Sequence, residues 1–195
     1  MDDAALSRRA LALALGAAAA SQMLAAPAWA ADTDDTYSEP EIVQAAERFF
    51  GAGAEGLATV VRHVFEQNGR PTGYIDGQEG AGAVGVGLRY GVGRLHLKNR
   101  SEATRVYWQG PSVGFDTGGN AAKVFTLVYG LGNPDRIFRR FPGVDGSAYF
   151  IGGVGVNYAR ADGITLAPMR AGVGFRLGAN IGYLHFSRRR RVNPF

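Results

Sequence analysis

The 195-residue chain contains no cysteine and only three histidines. Without thiols it can hold neither a disulfide scaffold nor a thiolate metal or redox centre. His63, His96 and His185 are far apart in sequence, and none belongs to a ligand spacing such as H-E-x-x-H. No metal and no cofactor are therefore expected. Long apolar runs are scarce too. Residues 10–20 are entirely Ala, Leu and Gly, but this stretch is short of the ~20 residues a membrane-crossing helix needs. Intrinsic disorder is excluded by a composition that is 46% hydrophobic and 11% aromatic. What the chain has in excess is glycine, 29 residues, without the period of three that collagen requires.

Residues 1–30 read as an export signal. Arg8 and Arg9 precede the apolar stretch, and Ala28-Trp29-Ala30 places small residues where a signal peptidase cuts. Ser7-Arg8-Arg9-Ala10-Leu11 also fits a twin-arginine signal, so both the general secretory and the twin-arginine routes are open. Residues 31–38 form a flexible acidic lead, 39–187 a single globular domain, and 188–195 a basic tail.

The net charge of +4 conceals a division. Residues 31–83 carry ten acidic and three basic side chains, a net of −7; residues 84–195 carry sixteen basic and five acidic, a net of +11. Fourteen of those sixteen are arginine, the side chain best shaped to grip phosphate and carboxylate. Either the basic half meets an anionic partner, or the acidic segment lies over it and neutralises it internally.

The acidic segment reads as two helices within 39–67. Ser38-Glu39-Pro40-Glu41 is a start signal with a capping box and a proline in the first turn. Ile42, Ala45, Ala46, Phe49 and Phe50 follow at helical spacing, then Leu57, Val60, Val61, Val64 and Phe65, ending at Asn68-Gly69. From residue 80 to 187 the period becomes two. Val84-Gly85-Val86-Gly87-Leu88, Val154-Gly155-Val156-Asn157-Tyr158 and Val173-Gly174-Phe175-Arg176-Leu177-Gly178 alternate large residues with glycine or polar ones. Further strands are expected over 94–98, 104–108, 112–115, 123–129, 147–151, 164–167 and 181–186. A short helix is expected from Asn133-Pro134-Asp135 through Phe141, carrying Arg136, Arg139 and Arg140. The fold class is mainly β with N-terminal helices (α+β): a small antiparallel barrel or strongly coiled sheet of about eight strands, with two helices before it and one short helix inserted. Arg188, Arg189, Arg190 and Arg191 near the end argue against a lipid-facing final strand.

Two motifs suggest chemistry and lack its context. Gly110-Pro111-Ser112-Val113-Gly114 has the form of a nucleophile elbow at Ser112, but turn residues follow where a helix is needed. Gly80-Ala81-Gly82-Ala83-Val84-Gly85 has the dinucleotide spacing, but a strand pattern follows it. Tyr107 and Trp108 either stack on a sugar or insert at a lipid interface, or else belong to the core.

The motifs also resemble a known family as an ordered series. They are Ala46-Glu47-Arg48-Phe49-Phe50-Gly51, Pro71-Thr72-Gly73-Tyr74-Ile75, Glu79-Gly80-Ala81-Gly82-Ala83, Leu88-Arg89-Tyr90-Gly91 and Trp108-Gln109-Gly110-Pro111-Ser112. Gly146-Ser147-Ala148-Tyr149, Arg170-Ala171-Gly172-Val173-Gly174, Gly182-Tyr183-Leu184 and Asn193-Pro194-Phe195 complete the series. Together they resemble the envelope integrity protein A (EipA) family of Gram-negative periplasmic proteins, over residues 39–195. The resemblance implies a periplasmic β-barrel with an electropositive surface and a role in envelope integrity and stress resistance, with no catalytic residues. Residues 111–129 are also distantly similar to the SYLF lipid-binding domain.

The expected function is therefore non-enzymatic: support of the cell envelope by binding an anionic lipid or polysaccharide through a basic β surface, with peripheral membrane contact and no nucleic acid partner. The candidate binding residues are Arg89, Arg94, Lys98, Arg105, Lys123, Arg139, Arg140, Arg170 and Arg176. The alternative is a carrier holding a hydrophobic ligand in the barrel interior; a serine hydrolase at Ser112 ranks last.

Overall fold

The computed structural model describes residues 35–51, 56–84, 86–112, 122–144, 149–171 and 182–191. Two helices come first, α1 (Glu39–Phe50) and α2 (Leu57–Asn68). The start of α1 is fixed as its sequence dictates: the Ser38 backbone N–H and hydroxyl both donate to Glu41 Oε2 at 2.8 Å. Ten strands follow among the described residues: β1 (Gly73–Val84), β2 (Val86–Leu97), β3 (Thr104–Ser112), β4 (Ala122–Tyr129), β5 (Arg140–Pro142), β6 (Tyr149–Ile151), β7 (Val154–Val156), β8 (Ala159–Ala161), β9 (Ile164–Ala171) and β10 (Tyr183–Ser187). All form one antiparallel sheet in the order β5-β10-β3-β2-β1-β4-β9-β7-β6, with β8 also on β9. The sheet curls until its ends meet. Gly143, just past β5, bridges Ala159 of β8, and the Val144 N–H donates to Tyr158 O at 2.9 Å.

Each strand separates two environments because its side chains alternate. Inward positions such as Ile75, Leu95, Leu97, Val106, Val128, Leu166, Leu184 and Phe186 form one apolar cluster. Outward positions of β4 and β9 (Phe125, Leu127, Tyr129, Ala167 and Met169) join Val154 and Val156 of β7 under the helices, against Ile42, Val60, Val61 and Val64. Each fully buried aliphatic side chain there contributes about 1.5–3 kcal/mol. The helices thus cover one side of the barrel, with α1 reaching Tyr74 at the start of β1, and leave most of the outer face of β2, β3 and β10 uncovered by helix.

Glycine does two jobs. Gly56, at the start of α2, lies so close to the β6–β7 turn that a Cβ would come within 2.2 Å of the Gly152 carbonyl oxygen; Gly152 itself has φ +55. Inside the barrel, Gly91, Gly77 and Gly93 lie under the Trp108 indole. A Cβ on them would come within 2.0, 2.6 and 3.1 Å of its atoms.

Several sequence expectations shift. The sheet begins at Gly73, before residue 80. Residues 84–88 span the junction of β1 and β2 rather than forming one strand, and the strand expected over 104–108 runs on through Gly110-Pro111 to Ser112. The inserted helix is a single 3-10 turn, Pro134–Ile137. Asn133 Oδ1 caps that turn at the Asp135 N–H, and the chain then enters β5, so Arg140 lies on a strand and Arg139 just before it. The strand placed at 173–178 lies outside the described residues.

Candidate functional site: a neutralised interior and an open cationic face

Strand register assembles the interior network. Glu79 pairs with Gly91, and Gly91 pairs with Trp108. The missing side chain at Gly91 lets the indole cross the row, and its Nε1–H donates to Glu79 Oε2 at 2.8 Å. From β9, Arg170 Nε and Nη2 donate to the two Glu79 oxygens at 3.0 and 3.2 Å, while Nη1 donates to Asn157 Oδ1 at 3.0 Å. Arg89 on β2 places Nη1 3.8 Å from Glu79 Oε1 and donates from Nε and Nη2 to the Pro111 carbonyl at 3.1 and 2.8 Å. Glu79 is 0% exposed, and Arg89 and Arg170 are each 1% exposed.

Burial alone would push the Glu79 carboxyl up. The neighbouring Arg170 and Arg89 charges, with the bonds from Arg170 and Trp108, outweigh it and hold the group below the ordinary carboxylate range. Burial, aided by Arg170 and opposed by Glu79, pulls Arg89 down to about 10. Arg89 and Arg170 were expected at the surface and are inside. A guanidinium is shielded from water there because a carboxylate and carbonyls occupy its donors.

The outer face of β1, β2, β3 and β10 differs. Two grooves cross it, of about 550 and 400 Å³, and they share Gln78, Val92 and Arg105. The larger is lined by Tyr90, Tyr107, Gln109, Arg190 and Arg191; the smaller reaches Arg94, Asp76 and Phe49. Arg105 is exposed, and its guanidinium carbon sits 5.6 Å from the centre of the Tyr107 ring. Arg140 lies over Tyr183 at 5.1 Å. The imidazole of His185, on the same strand as Tyr183, is held below its ordinary value by burial and then by Arg191 and Arg140, which marks this face as positive.

The remaining candidates are mostly engaged. Arg94 donates from Nη2 to Asp76 Oδ2 at 3.2 Å, and Lys98 donates to Glu41 Oε1 at 2.5 Å. The second bond is the main reason Glu41 is held down to about 2. Lys123 Nζ donates to the Phe49 and Phe50 carbonyls at the end of α1, at 2.8 and 3.3 Å. Arg139 pairs with Asp162, and Arg188 with Asp135. Arg176 lies outside the described residues. Of the nine candidates, Arg94 and Arg105 border the grooves. Tyr90, Gln78 and Gln109 were missed as lining residues. Their signal was the outward phase of β1–β3, which became readable only once β1 was known to begin at Gly73. Tyr107 faces out, as the sugar or interface reading needs, while Trp108 is core.

Neither tempting motif has its context. Ser112 lies in β3 opposite Gly87, not on a strand-to-helix elbow. Gly80 and Gly82 lie within β1, with a hairpin and not a helix after them. Among the described residues, no three His, Asp or Glu side chains converge to hold a metal, and no helix is long and apolar enough to cross a membrane.

Fold and site together define a class: a barrel-like protein with a buried ion network inside and a cationic groove outside. Within that class, the chain belongs to the envelope integrity protein A family, whose pattern it matches over residues 35–195. It is similar to a crystal structure described as a beta-barrel-like, uncharacterized protein from Brucella abortus. The two are 46% identical with a TM-score of 0.75, and the match covers 83% of this chain and 99% of that one. No curated protein matches the chain.

Proposed function

We propose that this protein supports the integrity and stress resistance of the cell envelope from the periplasm by binding an anionic envelope component on the outer face of β1, β2, β3 and β10. Export by residues 1–30, the flexible lead over 31–38 and the basic tail over 188–195 belong to the same reading. The carrying observation is the groove that gathers Arg105, Arg190 and Arg191 beside Tyr107. The envelope setting follows the family's name. Surface binding is favoured over a hydrophobic carrier because the apolar inward positions pack on one another and the other interior positions hold Glu79, Arg89 and Arg170.

Binding through exposed arginines weakens as salt shortens the Debye length from ~30 Å at 0.01 M to ~8 Å at 0.15 M. The test is co-sedimentation of the protein with anionic vesicles, and separately with an acidic polysaccharide, at both salt concentrations. Binding that is strong in low salt and is lost in the Arg105→Glu/Arg190→Glu/Arg191→Glu variant supports the reading. An absence of binding to both anions at low salt overturns it.

A further inference from the structure

We propose that the ligand of the outer groove is the chain of an acidic polysaccharide, laid across strands β1 to β10, and not a lipid headgroup. The inference rests on the anion-binding reading above and narrows it.

The first ground is charge placement. On the outer face Arg94 and Arg105 are direct cross-strand partners. Like charges in such positions oppose each other across a few ångströms and weaken the pair. Asp76, opposite Arg94 on β1, is shared between Arg94 and His96 and does not reach Arg105. Arg105 is paired with no acid among the described residues and has only the face of Tyr107. Arg190 and Arg191 extend the positive line past β3. An anion seated between Arg94 and Arg105 relieves the repulsion, and a ligand with repeated charges serves the whole line.

The second ground is shape. The two grooves meet at Gln78, Val92 and Arg105 and form one track across four strands, roughly 14 Å at the usual interstrand spacing. A single headgroup needs a cup; a track of this length suits a linear polymer.

The third ground is lining chemistry. Tyr107 and the exposed Gln78 offer an aromatic face and an amide group, which match the apolar ring face and the hydroxyls of a sugar. A membrane-docking face presents large apolar side chains to insert into lipid. Among the described residues only Val92 and Phe150 are large, apolar and exposed; Phe150, on β6, is not among the groove's lining residues.

The test titrates the intact chain at low salt with three probes at equal charge concentration: oligogalacturonate, phosphatidylglycerol vesicles and polyglutamate. The proposal expects oligogalacturonate to bind tightest. It also expects Tyr107→Ala to weaken that binding about tenfold, the scale of one lost aromatic contact, without changing its salt dependence. Arg105→Gln should instead flatten the salt dependence, and the His185 imidazole should titrate higher when the oligosaccharide is bound. Polyglutamate or vesicles binding as tightly as oligogalacturonate, or Tyr107→Ala binding like the parent, overturns the polysaccharide assignment and leaves anion binding standing. Failure of all three probes overturns both.

Discussion

Two groups of arginine in this molecule share a chemistry and have opposite surroundings. Arg89 and Arg170 are inside, joined through Glu79 and supplied with carbonyl and amide acceptors. Arg105, Arg190 and Arg191 are outside, around a groove. A buried guanidinium is tolerated only where every donor finds an acceptor and a counter-charge stands near; an exposed one needs neither, and stays available to a ligand. The charge excess that draws attention to the β half of the chain therefore includes two contrasting populations, one buried and neutralised and one exposed around a groove.

The largest blow to this contrast falls on the interior. Glu79→Gln keeps the shape and removes the counter-charge that Glu79 supplies to two buried guanidinium groups, at a cost of about 3–5 kcal/mol. Urea denaturation of the parent and variant measures it; a loss near that of a surface substitution would mean the network is not held by charge. Next is Gly91→Ala, which drives a methyl into Trp108 and should cost about 1–3 kcal/mol, with Trp108 fluorescence reporting the disturbed indole. Acid sharpens the same comparison. Glu79 titrates lower when folded than unfolded, so its contribution is full above the unfolded carboxylate value of ~4.3 and is lost as pH falls toward its folded value. His185 is also held low when folded, so stability declines as pH drops below the unfolded imidazole value of ~6.5. In thermal melts across pH 7 to 5, His185→Asn should flatten that upper decline and leave the loss below pH 4. The smallest effect lies outside: Arg105→Gln should leave stability unchanged or raise it by about 0.2–0.5 kcal/mol, because it removes the repulsion from Arg94, while weakening anion binding and flattening its salt dependence. A stability loss as large as that of Glu79→Gln would erase the distinction between the two groups.

The helices were legible because their cues are local: Ser38, Pro40 and Glu41 start α1, and the apolar spacing over both helices marks the buried stripe. Strand β4 was legible as a short apolar run of β-branched and aromatic residues, buried on both faces, and β7 because valine alternates with glycine there. Strand β1 was not, because its inward face is Gly73, Ile75, Gly77 and Glu79, a mixture with no visible hydrophobic period. The arrangement makes sense only beside the Trp108 indole that fills the space over those glycines. Strand β5 was read as a helix continuing from Pro134, since Arg139-Arg140-Phe141 has no local stop signal. What ends the turn is pairing of Phe141 with Leu184, which comes from far along the chain. At the site, Arg105 and Tyr107 were visible as residue types, but their common face with Arg190 and Arg191 was not.

By itself the sequence determined the division between an acidic helical segment and a basic, glycine-rich β segment, because helix caps, apolar periods and charge counts are properties of short stretches. Which arginines are buried and which are open was decided by the tertiary structure alone. Strand register and the curl of the sheet bring Glu79, Arg89 and Arg170 together from positions up to ninety-one residues apart, and no local pattern records which face of a strand turns inward until its partners are in place.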